Sequence, residues 1–168
     1  MPVGRVFKNF SMFVDGGSFA GKVEELALPK LTIKTEEFSA GGMDAPIEVD
    51  MGMEKLECEF TLTEYDEKII GMFGLKEGND VPLVFRGAMQ DQDGTVTPIK
   101  VDVRGIWREV DMGSWKKGDK ATMKVMVACR YYKMAVNDSV VTEIDLENMV
   151  RKINGEDQME GIRSAIGS

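Results

Sequence analysis

Apolar residues recur at every second position through most of this chain, the signature of strands with one face buried and the other in water. In EKLECEFTL, Leu56, Cys58, Phe60 and Leu62 fall on one face, and Lys55, Glu57, Glu59 and Thr61 on the other. PIKVDVRG repeats the pattern, with Ile99, Val101 and Val103 set against Lys100, Asp102 and Arg104. At Gly105 the parity slips, because Ile106 and Val110 carry the apolar side beyond it, which predicts a bulge or bend there. ATMKVMVACRYYKM puts Met123, Val125, Val127, Cys129 and Tyr131 on one face, and a tight Asn137-Asp138 turn joins it to SVVTEID as a hairpin. Upstream, NFSMFVDGGSFAGKVEEL reads as a hairpin turning at Asp15-Gly16-Gly17, and LPKLTIKTEEF as a strand with Leu31 and Ile33 inward.

Two segments break this rhythm with helical spacing. The first runs from about Glu64 to Phe73, with Thr63 as N-cap, Asp66 three residues on, Gly74 as its stop and Ile69, Ile70 and Phe73 as its apolar face. The second, from about Asp157 to Ile166, follows the Asn154-Gly155 break and aligns Met159, Ile162 and Ile166 on one stripe that needs its own sheet or a neighbour to pack on. The expected architecture is mainly β, a β-sandwich or open barrel with one flanking α-helix and a C-terminal helix. Its length of 168 residues, without linker, repeat or low-complexity segment, suits a single domain spanning 1–168.

One connection does not fit a simple strand meander. Residues 39–52 join KLTIKTEEF to EKLECEFTL, two strands expected to pair as a hairpin, yet hairpin loops usually run about two to five residues. Gly41 and Gly42 supply backbone freedom, Met43 and Asp44 follow, and Pro46 presses Ala45 towards an extended conformation. Beyond it Ile47, Val49 and Met51 alternate with Glu48 and Asp50. Such an arm needs a surface to lie against, either its own domain or another protein.

Composition narrows the function classes. Lys and Arg number 21 against 29 Asp and Glu, a formal charge of −8, which disfavours tight nucleic-acid binding but suits a surface that nucleic acid must pass without sticking. No apolar run approaches the roughly 18–20 residues of a membrane span and no signal-peptide core opens the chain, so a cytosolic protein with no stable membrane binding is expected. Histidine is absent, which removes the commonest general base and transition-metal ligand together. Cys58 and Cys129 sit inside apolar alternations and read as reduced core residues. No phosphate loop occurs, and DQDGTVTPIKVD lacks the glycine position and closing Glu of a calcium loop. The carboxylates Glu36, Glu37, Glu48, Asp50, Glu57 and Glu59 read as solvated strand faces, and Trp107 and Trp115 as core or interface packing. No catalytic residue, cofactor or metal is expected.

The residues themselves carry a resemblance. LPKLTIKTEEFSAGGMDAPIEVDMG, together with VTEIDLENMVRKINGEDQMEGIRSAIG, FVDGGSFAGKVEELALPKL and YYKMAVND in the same order, resembles the major tail tube proteins of contractile-tailed bacteriophages and R-type pyocins. The resemblance spans nearly the whole chain and is weakest from about Lys76 to Gly118; where relatives often carry Tyr-Arg, this chain has Phe38-Ser39. It implies hexameric rings whose strands join into one continuous β-barrel, stacked into a hollow tube in a virion tail or phage-tail-like particle. Implied partners are further copies of the chain, the tail sheath, the tape-measure and baseplate proteins, and DNA as non-specific passing cargo. The residue 39–52 arm would then grip a neighbouring subunit through Met43, Ile47 and Val49. If the Leu56–Leu62 strand joins the barrel, Glu57 and Glu59 point into the channel as rings of negative charge; otherwise they solvate an outer face. The type VI secretion tube shares the fold but matches these motifs less well, and a monomeric ligand-binding β-barrel is the reading from a different class.

Overall fold

The computed structural model describes residues 4–15, 17–18, 22–74 and 80–167. In chain order the elements are β1 (Val6–Val14), β2 (Gly17–Ser18), β3 (Val23–Ala27), β4 (Ile33–Phe38), β5 (Ile47–Met53), β6 (Leu56–Leu62), α1 (Glu67–Ile70), β7 (Val81–Gln90), β8 (Val96–Asp111), β9 (Met123–Val136), β10 (Ser139–Asp145), β11 (Val150–Ile153), β12 (Glu156–Asp157) and α2 (Glu160–Ala165). One ten-stranded sheet runs β12-β11-β10-β9-β8-β7-β1-β2, while β4 and β5 make a separate two-stranded ribbon. The long strand β9 forks the sheet. Its first half pairs with β6, which carries β3, and its second half with β10, while β8 flanks both halves.

The sheet is open and curls around its core. Leu56, Cys58, Phe60 and Leu62 of β6, Val101, Val103 and Trp107 of β8, Met123, Val125 and Val127 of β9, and Met12 of β1 are all buried in one cluster. A flat sheet with one uncovered face could not shield side chains from six strands, and α1 contributes only Ile69 to the buried set. Trp107 ties the helix down: its Nε1 donates to the Ile69 carbonyl at 3.0 Å, and its ring meets Phe60 edge-on at 5.8 Å.

The bulge expected at Gly105 is present, and its geometry explains the glycine. Arg104 lies opposite Tyr131 and Gly105 opposite Cys129, leaving Arg130 as the extra residue on β9. A Cβ on Gly105 would sit 2.2 Å from the Ala128 carbonyl oxygen, so no other residue fits there without moving the backbone. The extra residue switches the faces of β9, so Tyr132, and not the expected Tyr131, is the buried tyrosine. On β8 the inward parity continues through Gly105 to Trp107. It slips only at a second irregularity between Trp107 and Glu109, and Ile106 therefore points away from the core side and is half-buried. The β9–β10 hairpin turns where expected, with Asn137 and Asp138 both at positive φ (52° and 65°), as a two-residue turn of matching twist requires. The expected turn at Asp15-Gly16-Gly17 is partly described, with Phe13 opposite Ser18, Val14 opposite Gly17 and Gly16 outside the described residues, but the hairpin does not extend to KVEEL, which as β3 pairs with β6 and not with β1.

Three expectations are corrected. The strand ending at Phe38 does not pair with Leu56–Leu62; β4 pairs with β5 inside the predicted arm, because Ile47–Met53 continues as a strand. Leu31 and Ile33 are accordingly exposed and not inward. The helix predicted from Glu64 is only α1, capped by Asp66, whose Oδ1 accepts from Lys68 N and Ile69 N. Asp66 and not Thr63 is the cap, and the Thr63 N–H and hydroxyl instead both donate to the Lys22 carbonyl. The helix stops earlier than expected, with Gly71 and not Gly74 as its C-cap, and Phe73 turns outward and is exposed.

Candidate assembly surfaces

The β4–β5 ribbon is two-faced. Directly paired residues of an antiparallel ladder share a face, so Phe38 with Ile47 and Glu36 with Val49 form one side, joined by Met51, while Glu37 with Glu48 and Thr35 with Asp50 form the other. The first side is apolar apart from Glu36 and is open to water: Phe38 is 53%, Ile47 52%, Val49 40% and Met51 52% exposed. An isolated two-stranded ribbon has no core of its own and needs outside support. Its base receives some. Arg151 Nη2 of β11 meets Asp50 Oδ2 at 2.6 Å, and the Gly52 N–H donates to Asp50 Oδ1 at 2.8 Å. The Gly52 amide first, and then Arg151, hold the Asp50 carboxyl below its ordinary range.

The predicted arm residues divide along this ribbon. Ile47 and Val49 stand on its apolar side, as a gripping role requires. Gly41, Gly42, Met43, Asp44 and Pro46 form the tip, where Gly42 takes φ 89° and Met43 folds back so that its sulfur accepts from Ala40 N at 3.2 Å. Met51, already part of the alternation with Ile47 and Val49, and Phe38 complete the apolar side; Phe38 was not singled out from the sequence, and pairing it with Ile47, the register of a hairpin closed at Gly41-Gly42, would have found it.

The C-terminal stripe splits as well. Met159 is half-buried beside β11, whereas Ile162 (56%) and Ile166 (62%) are exposed, and α2 buries no residue against its own sheet. Arg163 helps fasten it, donating to the Met149 carbonyl at 3.0 Å and meeting Asp157 at 2.8 Å.

Glu57 and Glu59 lie on the side of β6 turned from the core, as the alternation predicts. Each faces cations: Glu57 meets Lys55 at 3.1 Å and also Arg108, and Glu59 meets Lys124 at 3.3 Å. Lys55 first, then Arg108, lower the Glu57 carboxyl. On the same side the Arg104 guanidinium stacks 4.4 Å over the Tyr131 ring. This face therefore carries paired charge, and its glutamates do not stand as bare negative groups.

One edge of the sheet also stays open. No strand among the described residues pairs with the outer side of β1 between Val6 and Met12, and both Val6 and Phe7 are exposed. The strand is irregular there. Its register with β7 skips Lys8, and the Asn9 side chain accepts from Phe10 N at 2.8 Å.

Comparison with known proteins supplies the context for these surfaces. The chain is 33% identical over 171 residues to the tail tube protein of Escherichia phage P2, covering 99% of each. It is also 33% identical over 170 residues to the major tail tube protein of Serratia phage KSP20, covering 99% of this chain and 98% of that one. Its fold is similar to a chain in the extended sheath–tube complex of an extracellular contractile injection system, PVC (TM-score 0.57, 10% identity, 75% of this chain and 87% of that chain). A second similar fold lies in the baseplate of the anti-feeding prophage, AFP (TM-score 0.56, 11% identity, 80% and 97%). These matches favour the phage tail tube over the type VI tube and the ligand-binding barrel. With the family described as phage tail tube protein FII matching residues 4–167, the chain belongs to that family of tail tube proteins.

Proposed function

We propose that residues 1–168 form one building block of a hollow tube, in which hexameric rings stack and neighbouring copies continue one another's sheets into a shared barrel. The observation that carries this reading is the ribbon's uncovered apolar side, a surface that a lone chain leaves in water and a repeating contact would bury. In this arrangement the residue 39–52 arm grips a neighbouring copy through Ile47 and Val49, with the Met43 tip shaping its end. Ile162 and Ile166 of α2 face a second copy, while Met159 holds the helix start to the body. The face bearing Glu57 and Glu59 lines the channel, where ion-paired side chains give DNA few free cations to bind as it passes. The sheath encloses the tube, the baseplate and tape-measure proteins meet its end and interior, and assembly takes place in the bacterial cytoplasm before the tube becomes part of the virion tail.

Contacts of this kind are heterologous, so they close into rings by rotation and extend into a stack by translation. Electron microscopy of purified protein tests the reading. Six-fold rings or hollow tubes are expected; a chain that stays monomeric at high concentration, with or without a tail-assembly seed, would refute it.

A further inference from the structure

The loop between β8 and β9, residues 112–122, holds a tryptophan in water in a fixed pose. Trp115 is 85% exposed, yet its Nε1 donates to the Tyr65 hydroxyl at 2.8 Å, and that hydroxyl donates in turn to the Met112 carbonyl. The polar edge of the indole is thus satisfied within the chain while its apolar faces stay open. Met112 also lines a groove of about 370 Å³ with Ile70, Phe73 and Val110, to which Arg108 and Glu109 add one charge of each sign. Lys116, Lys117 and Lys120 follow Trp115 in the loop, with Asp119 as its acidic residue.

We propose that this loop and groove receive the β4–β5 ribbon of a second copy of the chain. The proposal rests on the reading above, in which the ribbon grips a neighbour, and names the surface it grips. Chemistry selects this occupant. The ribbon offers the apolar Phe38, Ile47, Val49 and Met51 flanked by Glu36, Glu37, Asp44 and Glu48, with Lys34 its basic residue. The loop offers an aromatic anchor and three lysines next to a largely apolar groove, so both apolar surface and charge are complementary.

Topology selects a copy rather than the same chain. β6 runs antiparallel to β9, with Leu56 opposite Cys129 and Leu62 opposite Met123. The ribbon enters the body just before Leu56, and the loop enters it just before Met123. They therefore mark opposite ends of one seven-residue strand pair, about 20 Å apart at ~3.3 Å per residue. A protrusion at one end and its receptor at the other make a head-to-tail contact that repeats from copy to copy. This is the geometry of stacking.

The test uses the full chain at low ionic strength, where charge pairing is least screened, and reads polymer fraction by sedimentation with electron microscopy. One variant carries Lys116→Glu, Lys117→Glu and Lys120→Glu; a second carries Glu36→Lys, Glu37→Lys and Glu48→Lys; a third carries all six; a fourth is Trp115→Ala. The first, second and fourth are expected to raise the concentration needed for polymer by roughly tenfold or more, with thermal unfolding of the monomer unchanged. The six-fold variant, with both charges exchanged, is expected to regain most of the loss. Normal polymer from the loop and Trp115 variants, alongside a defective ribbon variant, overturns this contact and leaves the ribbon's gripping role standing. Failure of the six-fold variant to recover also overturns it. Normal polymer from the ribbon variant overturns both.

Discussion

Replacing Ile47 and Val49 together by alanine separates a side chain that holds the fold from one that holds the assembly. Full burial of an aliphatic side chain of this size contributes about 1.5–3 kcal/mol. With 52% of Ile47 and 40% of Val49 still open, covering both would add about 1.5–3 kcal/mol per contact, and truncation to alanine forfeits on the order of 1–2 kcal/mol of it. That loss is a factor of roughly 5–30 in the concentration at which copies associate. Within the free chain the same side chains face water, so its stability should move by less than about 0.5 kcal/mol, apart from a few tenths from lost β-branched side chains in a strand. The assay measures pelletable polymer against total concentration, with thermal unfolding of the dilute protein as control. An unchanged critical concentration would refute the argument. So would a melting temperature that falls enough to account for the loss, because it would place these side chains against their own chain.

Gly105→Ala is expected to destabilise the fold by about 1–3 kcal/mol, since the added methyl meets backbone and not a movable side chain; urea unfolding checks this, and a wild-type midpoint contradicts it. Burial pushes both thiols up from the ordinary 9.0, Cys129 to about 12. A raised folded value means the stabilising effect is present below pH 9 and is lost as pH climbs through the folded value, by up to about 1.4 kcal/mol per thiol per unit. Unfolding midpoints between pH 9 and 11 should therefore fall more steeply for the wild type than for Cys58→Ala. Glu57→Lys with Glu59→Lys sets new cations beside Lys55, Arg108 and Lys124 and should lower monomer stability somewhat, while leaving tubes whose interior retains DNA at low salt. Labelling of the new lysines in assembled tubes by reagents too bulky for the channel would place this face outside.

The strands were legible because burial follows parity: β6 matches its sequence alternation residue for residue. Parity fails where an extra residue slips the register, and the residue that slips need not advertise itself. Gly105 marked the first irregularity of β8 and β9, but the displaced residue was Arg130 on the partner strand, so Tyr131 and Tyr132 exchanged faces. Pairing was less legible than alternation. The same pattern in β5 and β6 does not say which of them pairs with β4, and the choice fell to Gly41-Gly42, which closes the local hairpin. Of the candidate assembly surfaces, the apolar positions Ile47, Val49, Ile162 and Ile166 could be named because exposed periodicity resembles buried periodicity in a sequence. The cations meeting Glu57 and Glu59 come from β8 and β9 as well as from the adjacent Lys55, and only the fold brings Arg108 and Lys124 beside them.

The irregular edge of β1 has a consequence for fidelity. A smooth, bare strand edge accepts almost any other strand, in any register, and so invites disordered fibres. On this edge Lys8 interrupts the ladder and the Asn9 side chain already occupies the Phe10 N–H. A strand arriving here must carry a matching kink at one position or leave hydrogen bonds unmade. The defect therefore narrows which strand can pair here, and in which register.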